Sequence, residues 1–311
     1  MQVLRRSAWR RTSPALAAAV ALALAAAVPP ALAAAVSPAL AAAVAPASAG
    51  AAPAAGLPGY LRDRGEGIPT SLVGTYVEAH RLLVYPFYEY TYNSDAEYKP
   101  AELGYGLEQD FRGQRTDHEA LLLLSYAFND RIAIEVESAL YASATQHTAV
   151  NDPSGVPPTL SESGFGDTQA ELRWKWSKET ATRPELFSYF ETVFPFQNNR
   201  VLIGTSDWEL TQGFGAIKGF GFGTLTARAS VSYTSADAQI VFGEYDLEYL
   251  KRLSTAWRCA VSLEGEQDEL ELIPEIQWHL RRNAFFKLNT GFGLTSKTPD
   301  LAPEVGVVLT F

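Results

Sequence analysis

Apolar and polar residues alternate with a period of two along most of the chain after residue 80. Residues 132–142 show the pattern well, with Ile132, Ile134 and Val136 on one face and Glu135 and Glu137 on the other. Successive side chains of a β-strand point to opposite faces, whereas a helix would repeat every 3.6 residues. The pattern therefore predicts an all-β protein.

Twelve segments share this alternation, and they are long for strands of a soluble protein. They are 82–92, 116–128, 131–144, 166–176, 185–196, 206–217, 222–234, 241–251, 256–266, 269–280, 284–295 and 301–311. Tilted strands of about 9–11 residues cross the hydrocarbon layer of a membrane. A soluble sandwich also alternates, but its charged faces point to water and its strands are usually shorter. We predict a transmembrane, antiparallel, up-and-down β-barrel of about twelve strands, because a bilayer tolerates no open sheet edge.

The connections and the aromatic residues fit this architecture. The turns at 129–130 and 281–283 are tight, whereas 93–115 and 145–165 are long, as in outer-membrane barrels with short periplasmic turns and longer extracellular loops. Tyrosine and tryptophan residues fall near segment ends, where interfacial girdles form. The last segment ends on Phe311. We expect this strand to be recognised by the barrel-assembly machinery, and the outward faces to contact outer-membrane lipid.

The N-terminus resembles an export signal. Four arginines and no acidic residue precede the apolar run 15–28, which Pro29 and Pro30 end. This run is shorter than the about 20 residues of a transmembrane helix and is typical of a cleavable signal peptide. An Ala-rich repeat of eight residues continues to Ala49, so we assign 1–49 to the signal peptide and its repeat. The organisation predicts a Gram-negative cell outer membrane as the location.

Residues 50–80 separate the signal from the barrel, which we assign to 81–311. Thr70–Ala79 could form a thirteenth strand, but bacterial single-chain barrels favour even counts. We expect this N-terminal extension to lie in the periplasm or to enter the lumen as a plug.

Composition excludes several classes of function. The chain has one cysteine, Cys259, and four dispersed histidines, so we expect no disulfide, no metal site and no cofactor. Without the four N-terminal arginines, 21 Lys and Arg face 35 Asp and Glu, a balance of about −14. Nucleic acid is disfavoured as a partner because phosphate binding needs surplus cations.

The inward faces carry the candidate functional residues, and acids outnumber bases among them. We expect the charged residues near mid-strand to lie at a similar depth in the lumen. The candidate constriction comprises Glu135, Glu171, Arg173, Glu191, Arg228, Asp246, Glu275 and Lys287. Two interpretations stay open. The charges could select permeating solutes, since acidic rings favour cations, or they could form a salt-bridge network that fills a narrow barrel.

A resemblance adds to this prediction. The stretch Ser163-Gly164-Phe165-Gly166-Asp167, followed by a strand that ends Arg173-Trp174-Lys175-Trp176, resembles an outer-membrane barrel family named for the meta-pathway of phenol degradation. The terminal segment Glu304–Phe311 is similar to that family as well. The resemblance covers about 80–311. It implies a transporter for small, possibly aromatic or hydrophobic, compounds, and it carries over no catalytic or ligand residue.

We therefore predict a channel or transporter for passive passage of small solutes, with a non-conducting structural or binding barrel as the alternative. An outer-membrane hydrolase is less favoured. His118 lies on an outward register, but the alternation places Ser143 on the inward face, so the Ser–His pair of such an enzyme is not formed. We expect no enzyme, and the sequence does not identify a permeant.

Overall fold

The computed structural model describes residues 56–71, 74–197, 199–236 and 238–311. The predicted signal peptide and its repeat lie outside these residues. Within the described ranges, no helix is both long and apolar enough to span a bilayer.

The described chain forms a closed antiparallel barrel, preceded by two short strands. The short strands are β1 (Ile68–Pro69) and β2 (Tyr76–Val77), which pair with each other. The barrel strands are β3 (Leu82–Tyr98), β4 (Phe111–Ala127), β5 (Ile132–His147), β6 (Thr159–Gly164), β7 (Thr168–Ser177), β8 (Glu185–Phe194), β9 (Glu209–Gly219), β10 (Thr224–Thr234), β11 (Gln239–Arg252), β12 (Trp257–Glu266), β13 (Glu269–Arg281), β14 (Ala284–Gly293) and β15 (Ala302–Thr310). Each barrel strand pairs with its sequence neighbours, except that β6 and β7 both pair with β5, and β15 pairs with β3 to close the ring. Because β6 and β7 together form one interrupted strand beside β5, the wall has twelve positions.

The predicted twelve-strand barrel is confirmed. The observed strands differ from the predicted segments mainly at the extracellular end of the barrel. Strands β3 and β4 have 17 residues each and β5 has 16, so they extend beyond their predicted segments. The period-two pattern fades there because both faces of an extension beyond the membrane meet polar surroundings. The predicted strand 166–176 is preceded by β6, which lies in the stretch expected to be loop 145–165.

Side chains alternate between lipid and lumen as the pattern predicts. Val136, Leu172 and Leu263 are exposed on the outer wall, whereas Glu135 and Glu171 are buried inside. Aromatic pairs such as Trp257 with Trp278, whose ring centroids are 5.8 Å apart, lie on the outer wall toward the periplasmic ends of their strands. The apolar band between such aromatic residues is the surface that contacts lipid.

One register prediction is wrong. A β-bulge in β5 lies between Ala139, which pairs with Leu121, and Tyr141, which pairs with Ala120. The extra residue, Leu140, reverses the alternation above it, because a bulge inserts one unpaired residue into a strand. Ser143 therefore faces outward, directly opposite His118, and Ala142 turns inward.

Candidate functional site: the lumen

One side of the lumen, formed by β3, β4 and β5, carries a large apolar cluster beside the buried carboxylates Glu89, Glu135 and Glu137. We call it the apolar wall. Its inward side chains are buried and form one continuous cluster: Leu83, Tyr85, Phe87, Leu121, Leu123, Ala127, Ala133, Ala139, Ala142 and Ala144. On β5 these residues are alanines, and Ile68, Val77, Leu202 and Ile203 belong to the same buried cluster. The larger residues on β3 and β4 include the Tyr85 and Phe87 rings, stacked with centroids 4.6 Å apart.

The candidate constriction residues lie inside the barrel, but they divide into three groups instead of one ring. Glu135, Glu171 and Glu191 are opposed to one another on β5, β7 and β8. Arg228 on β10 and Asp246 on β11 form a second opposed pair. Glu275 on β13 and Lys287 on β14 belong to the third group, described below. Strand tilt separates these rows around the lumen.

Arg173 on β7 completes the first group, so that each group contains a base that bonds a carboxylate. Arg173 bonds Glu171 through its guanidinium, and Arg228 Nη2 donates to Glu244 Oε2 at 2.7 Å. These contacts satisfy part of the buried charge, as an interior ion pair requires.

Lys287 connects the charged and apolar parts of the lumen. It is fully buried, and its Nζ lies 3.4 Å from Glu275 and 3.8 Å from Glu304. The same ammonium lies 5.1 Å from the centre of the Tyr85 ring. The third group therefore joins β13, β14 and β15 to the start of the apolar wall.

The N-terminal segment contacts the periplasmic half of the lumen. Arg64 bonds Glu185 at 2.9 Å and Glu179 at 3.3 Å, and all three side chains are buried. Arg173 Nη1 donates to the Pro69 carbonyl at 2.6 Å, and Lys175 Nζ donates to the Gly67 carbonyl at 2.5 Å. The β1–β2 hairpin thus lies against lumen-facing bases and is not a thirteenth strand of the wall.

Alternation could not reveal Arg64, Glu179 and Glu185 as one cluster, because Arg64 lies in a segment without regular period. A buried arginine always needs an acidic partner. The one signal in the sequence for the contact of Arg64 with Glu179 and Glu185 was therefore the presence of charged residues in the short N-terminal extension.

The barrel wall has a notch on its outer half, beside the interruption between β6 and β7. β6 pairs with β5 along one edge, and no strand pairs with its second edge among the described residues. β8 ends at Phe194, which pairs with Thr168 at the start of β7. The wall is therefore incomplete between β6 and β8.

The loop 195–208 fills this notch. Glu162 accepts the backbone N–H groups of Val201 and Leu202, at 3.3 and 2.8 Å, and Asp167 accepts that of Thr205 at 2.8 Å. These bonds place Leu202 and its neighbour Ile203 in the apolar cluster of the lumen. Gly166 lets the chain between β6 and β7 lie close against β5, because a Cβ there would lie 2.8 Å from that of Ala139.

The outward His118 has a different partner from the one a hydrolase would need. Its Nδ1 lies 2.7 Å from the Tyr88 hydroxyl, and its ring centroid is 5.0 Å from that of Tyr90. The bulge does bring Ser143 opposite His118, but the hydrogen bond of the His118 ring goes to tyrosine. The nucleophile–base contact of a serine hydrolase is thus not formed by these two residues.

Comparison with known proteins supports the architecture. No family model matches the chain, and no curated protein matches its sequence. The fold is similar to the crystal structure of an outer-membrane channel from Pseudomonas putida F1, with a TM-score of 0.56, 12% identity, and coverage of 79% of this chain and 100% of that one. The chain has the fold of an outer-membrane β-barrel.

Two further solved structures are more distant. The KdgM porin in complex with oligogalacturonate gives a TM-score of 0.45 at 9% identity, over 74% of this chain and 99% of that one. The toluene transporter TbuX of Ralstonia pickettii gives 0.37 at 8% identity, over 75% of this chain and 89% of that one.

Proposed function

We propose that the protein is an outer-membrane channel for passive passage of small solutes, and that it accepts small aromatic or hydrophobic compounds. The division of the lumen supports this proposal most directly. In a uniformly charged lumen, an apolar solute that leaves water would contact only charged groups. The apolar wall instead offers it a contiguous apolar surface. The resemblance to a family of transporters named for phenol degradation agrees with this preference.

Two segments narrow the route. The β1–β2 hairpin occupies the periplasmic half of the lumen, and Leu202 and Ile203 enter the outer half through the notch. We propose that a solute moves along the apolar wall past these two segments, and that the buried charges opposite keep the lumen hydrated.

The experiment compares the conductance and solute uptake of the wild-type protein with those of a variant in which the contact of Arg64 with the barrel is weakened. Refolded protein in planar bilayers and liposomes is expected to pass ions and phenol. Arg64→Ala removes the bonds to Glu179 and Glu185 and should raise conductance. Glu66→Gln, at an exposed position two residues further along, is the matched control and should leave conductance unchanged. Absence of conductance and of phenol uptake in all three proteins would contradict the proposal.

The second candidate is a non-conducting barrel filled by its own charges and by the N-terminal segment. The buried contacts of Arg64, Arg173 and Lys175 favour it, because they hold the N-terminal segment inside the periplasmic half by ion pairs and by side-chain hydrogen bonds to backbone carbonyls. A correctly folded barrel that stays closed after Arg64→Ala would support this candidate.

A further inference from the structure

Two neighbouring turns on the periplasmic rim carry a surplus of basic side chains. The turn 128–131 joins β4 to β5, and the turn 178–184 joins β7 to β8. The turns are adjacent because β5 pairs with β7, and the Lys175 N–H donates to the Arg131 carbonyl at 2.7 Å. The exposed bases of the two turns are Arg131, Lys178 and Arg183, and we call them the basic corner.

The acids of these turns balance only part of this charge. They are Asp130 and Glu179. Glu179 is buried and bonds Arg64 of the N-terminal segment at 3.3 Å. Asp130 is exposed and bonds Lys178, and this hydrogen bond, together with the charges of Lys178 and Arg131, lowers the pKa of the Asp130 carboxyl. Three exposed bases therefore accompany one exposed acid in the two turns.

A stacked pair of tryptophans lies on the outer wall, on the membrane side of the basic corner. Trp174 and Trp176 face lipid from β7, with ring centroids 4.8 Å apart and planes 6° from parallel. They are 45% and 52% exposed, and Trp176 Nε1 donates to Ser188 Oγ at 3.0 Å. Tryptophan rings at the ends of membrane strands mark the level of the lipid headgroups. Lys178 follows Trp176 by two residues, about 7 Å of extended chain, so the basic corner lies where headgroup phosphates lie.

The opposite rim of the barrel has the reverse charge. In the outer turns 99–110, 267–268 and 294–301, five acids accompany two bases: Glu102, Glu108, Asp110, Asp268 and Asp300, with Lys99 and Lys297. The surplus of bases therefore belongs to the periplasmic end, which meets the phospholipid leaflet of the outer membrane. Guanidinium groups form charge-assisted, paired hydrogen bonds with phosphate oxygens. Each base near a membrane surface also strengthens attraction to anionic lipid.

We propose that the basic corner and the Trp174–Trp176 pair form a binding site for an anionic phospholipid of the periplasmic leaflet. Arg131 and Arg183 bind the phosphate, Lys178 divides its contacts between the phosphate and Asp130, and an acyl chain lies against the tryptophan rings. A zwitterionic lipid is disfavoured because the basic corner repels its ammonium group. The site is on the outside of the barrel, so it goes beyond the proposed channel and does not depend on conduction.

The test measures quenching of tryptophan fluorescence by brominated lipids around the full refolded protein in phosphatidylcholine bilayers. Trp9, Trp208, Trp257 and Trp278 are replaced by phenylalanine, which leaves Trp174 and Trp176 as the fluorescent pair. Brominated phosphatidylglycerol is expected to bind beside this pair at least about fivefold more tightly than brominated phosphatidylcholine, the factor that one uncompensated base near a membrane surface supplies. The preference should decrease as salt rises, because exposed charges are screened.

Two double variants test the basic corner in this background. Arg131→Gln with Arg183→Gln should bring the ratio of the two affinities close to one, because Asp130 balances the remaining Lys178. Lys251→Gln with Arg282→Gln is the matched control. It removes the same charge from the periplasmic ends of β11 and β13, across the ring from β5 and β7, and should leave the ratio unchanged. Heat-modifiable migration on gels verifies that each barrel is folded.

Three outcomes overturn the inference. Equal affinity for the two brominated lipids before the arginines are changed would show that the basic corner selects no anionic headgroup. An undiminished preference after Arg131→Gln with Arg183→Gln would place the anionic lipid elsewhere. Displacement of phosphatidylglycerol by excess inorganic phosphate at constant ionic strength would identify a site for the free anion and not for the lipid.

Discussion

The two sides of the lumen, β3–β5 and β11–β13, share one kind of outer surface and differ in their inner surface. Outward residues such as Leu124 and Val136 on one side and Leu247 and Leu263 on the other are equally apolar and exposed. Inward, the first side carries an apolar cluster beside Glu89, Glu135 and Glu137. The second side carries two opposed rows of carboxylates across β11, β12 and β13: Glu244, Glu266 and Glu269, and Asp246, Glu264 and Glu271. Contact with lipid requires apolar residues on the outer face of every strand. The residues of the lumen face are not constrained by lipid and can differ from one side of the barrel to the other.

The two sides are also stabilised by different forces. The apolar wall is held by packing, to which Leu202 and Ile203 contribute from the loop 195–208. The charged side depends on ion pairs, and Lys287 is the base where it meets β15. Removing a methylene from the first side leaves a void, whereas removing a base from the second leaves uncompensated charge.

The largest expected effect is therefore at Lys287. Lys287→Met removes the ammonium from Glu275 and Glu304 and should reduce the free energy of unfolding by about 3–5 kcal/mol, as breaking a buried pair does. Lys297→Met at the more exposed rim is the control, with a loss within about 1 kcal/mol. Guanidinium unfolding from bilayers provides the measurement. Near-wild-type stability of Lys287→Met would show that the buried carboxylates are already neutralised by other means.

Shortening a leucine of β4 should reduce the free energy of unfolding by an amount that depends on whether the side chain faces the lumen or the lipid. Leu123 is buried inside and its neighbour Leu124 faces lipid. Leu123→Ala should cost about 2–5 kcal/mol through lost contacts and a cavity. Leu124→Ala should cost less, because lipid chains fill the space that it vacates. Equal losses in the same unfolding measurement would contradict the assigned faces.

Much of this difference can be predicted from sequence, because period-two alternation assigns each residue to lipid or lumen. That rule located all twelve wall positions and the inward register of Glu135, Glu171 and Glu264. Glu264 and Glu266 alternate with Leu263 and Gly265, and Glu269 and Glu271 alternate with Leu270 and Leu272. The rows become visible only once the register between strands is known.

Other features depend on contacts that no alternation encodes. The bulge at Leu140 reversed the predicted orientation of Ser143, because one unpaired residue shifts every position after it. The contacts of Arg64 with Glu179 and Glu185 join positions more than 100 residues apart, and the Glu162 contact to Leu202 crosses the notch. Such contacts are set by tertiary packing and not by local pattern.

A charge on the lipid face tests the inside–outside assignment on the shared outer surface. Val136→Arg should cost about 2–4 kcal/mol, because an arginine near mid-depth faces hydrocarbon. Glu135→Gln, one residue away and inside the lumen, is the matched comparison and should cost less. Assembly is followed by heat-modifiable migration and stability by unfolding. A larger loss for Glu135→Gln would reverse the assigned faces of β5.

The smallest expected effect, in free energy, is on ion selectivity. This prediction tests only the charged side of the lumen. Acids outnumber bases in the lumen, and low-dielectric walls strengthen the resulting field, so cations should permeate better than anions. Neutralising Glu191 and Glu264 to glutamine should lower the cation-to-anion permeability ratio about twofold, less than 1 kcal/mol at about 1.4 kcal/mol per tenfold change. Glu108→Gln with Asp110→Asn, which changes as many charges outside the lumen, should leave the ratio as in wild type.

The preference should also weaken as salt rises, since the Debye length falls from about 10 Å at 0.1 M to about 3 Å at 1 M. Reversal potentials across a salt gradient measure the ratio. An anion-selective reversal potential at neutral pH would mean that the bases, and not the lumen carboxylates, face the conducting path.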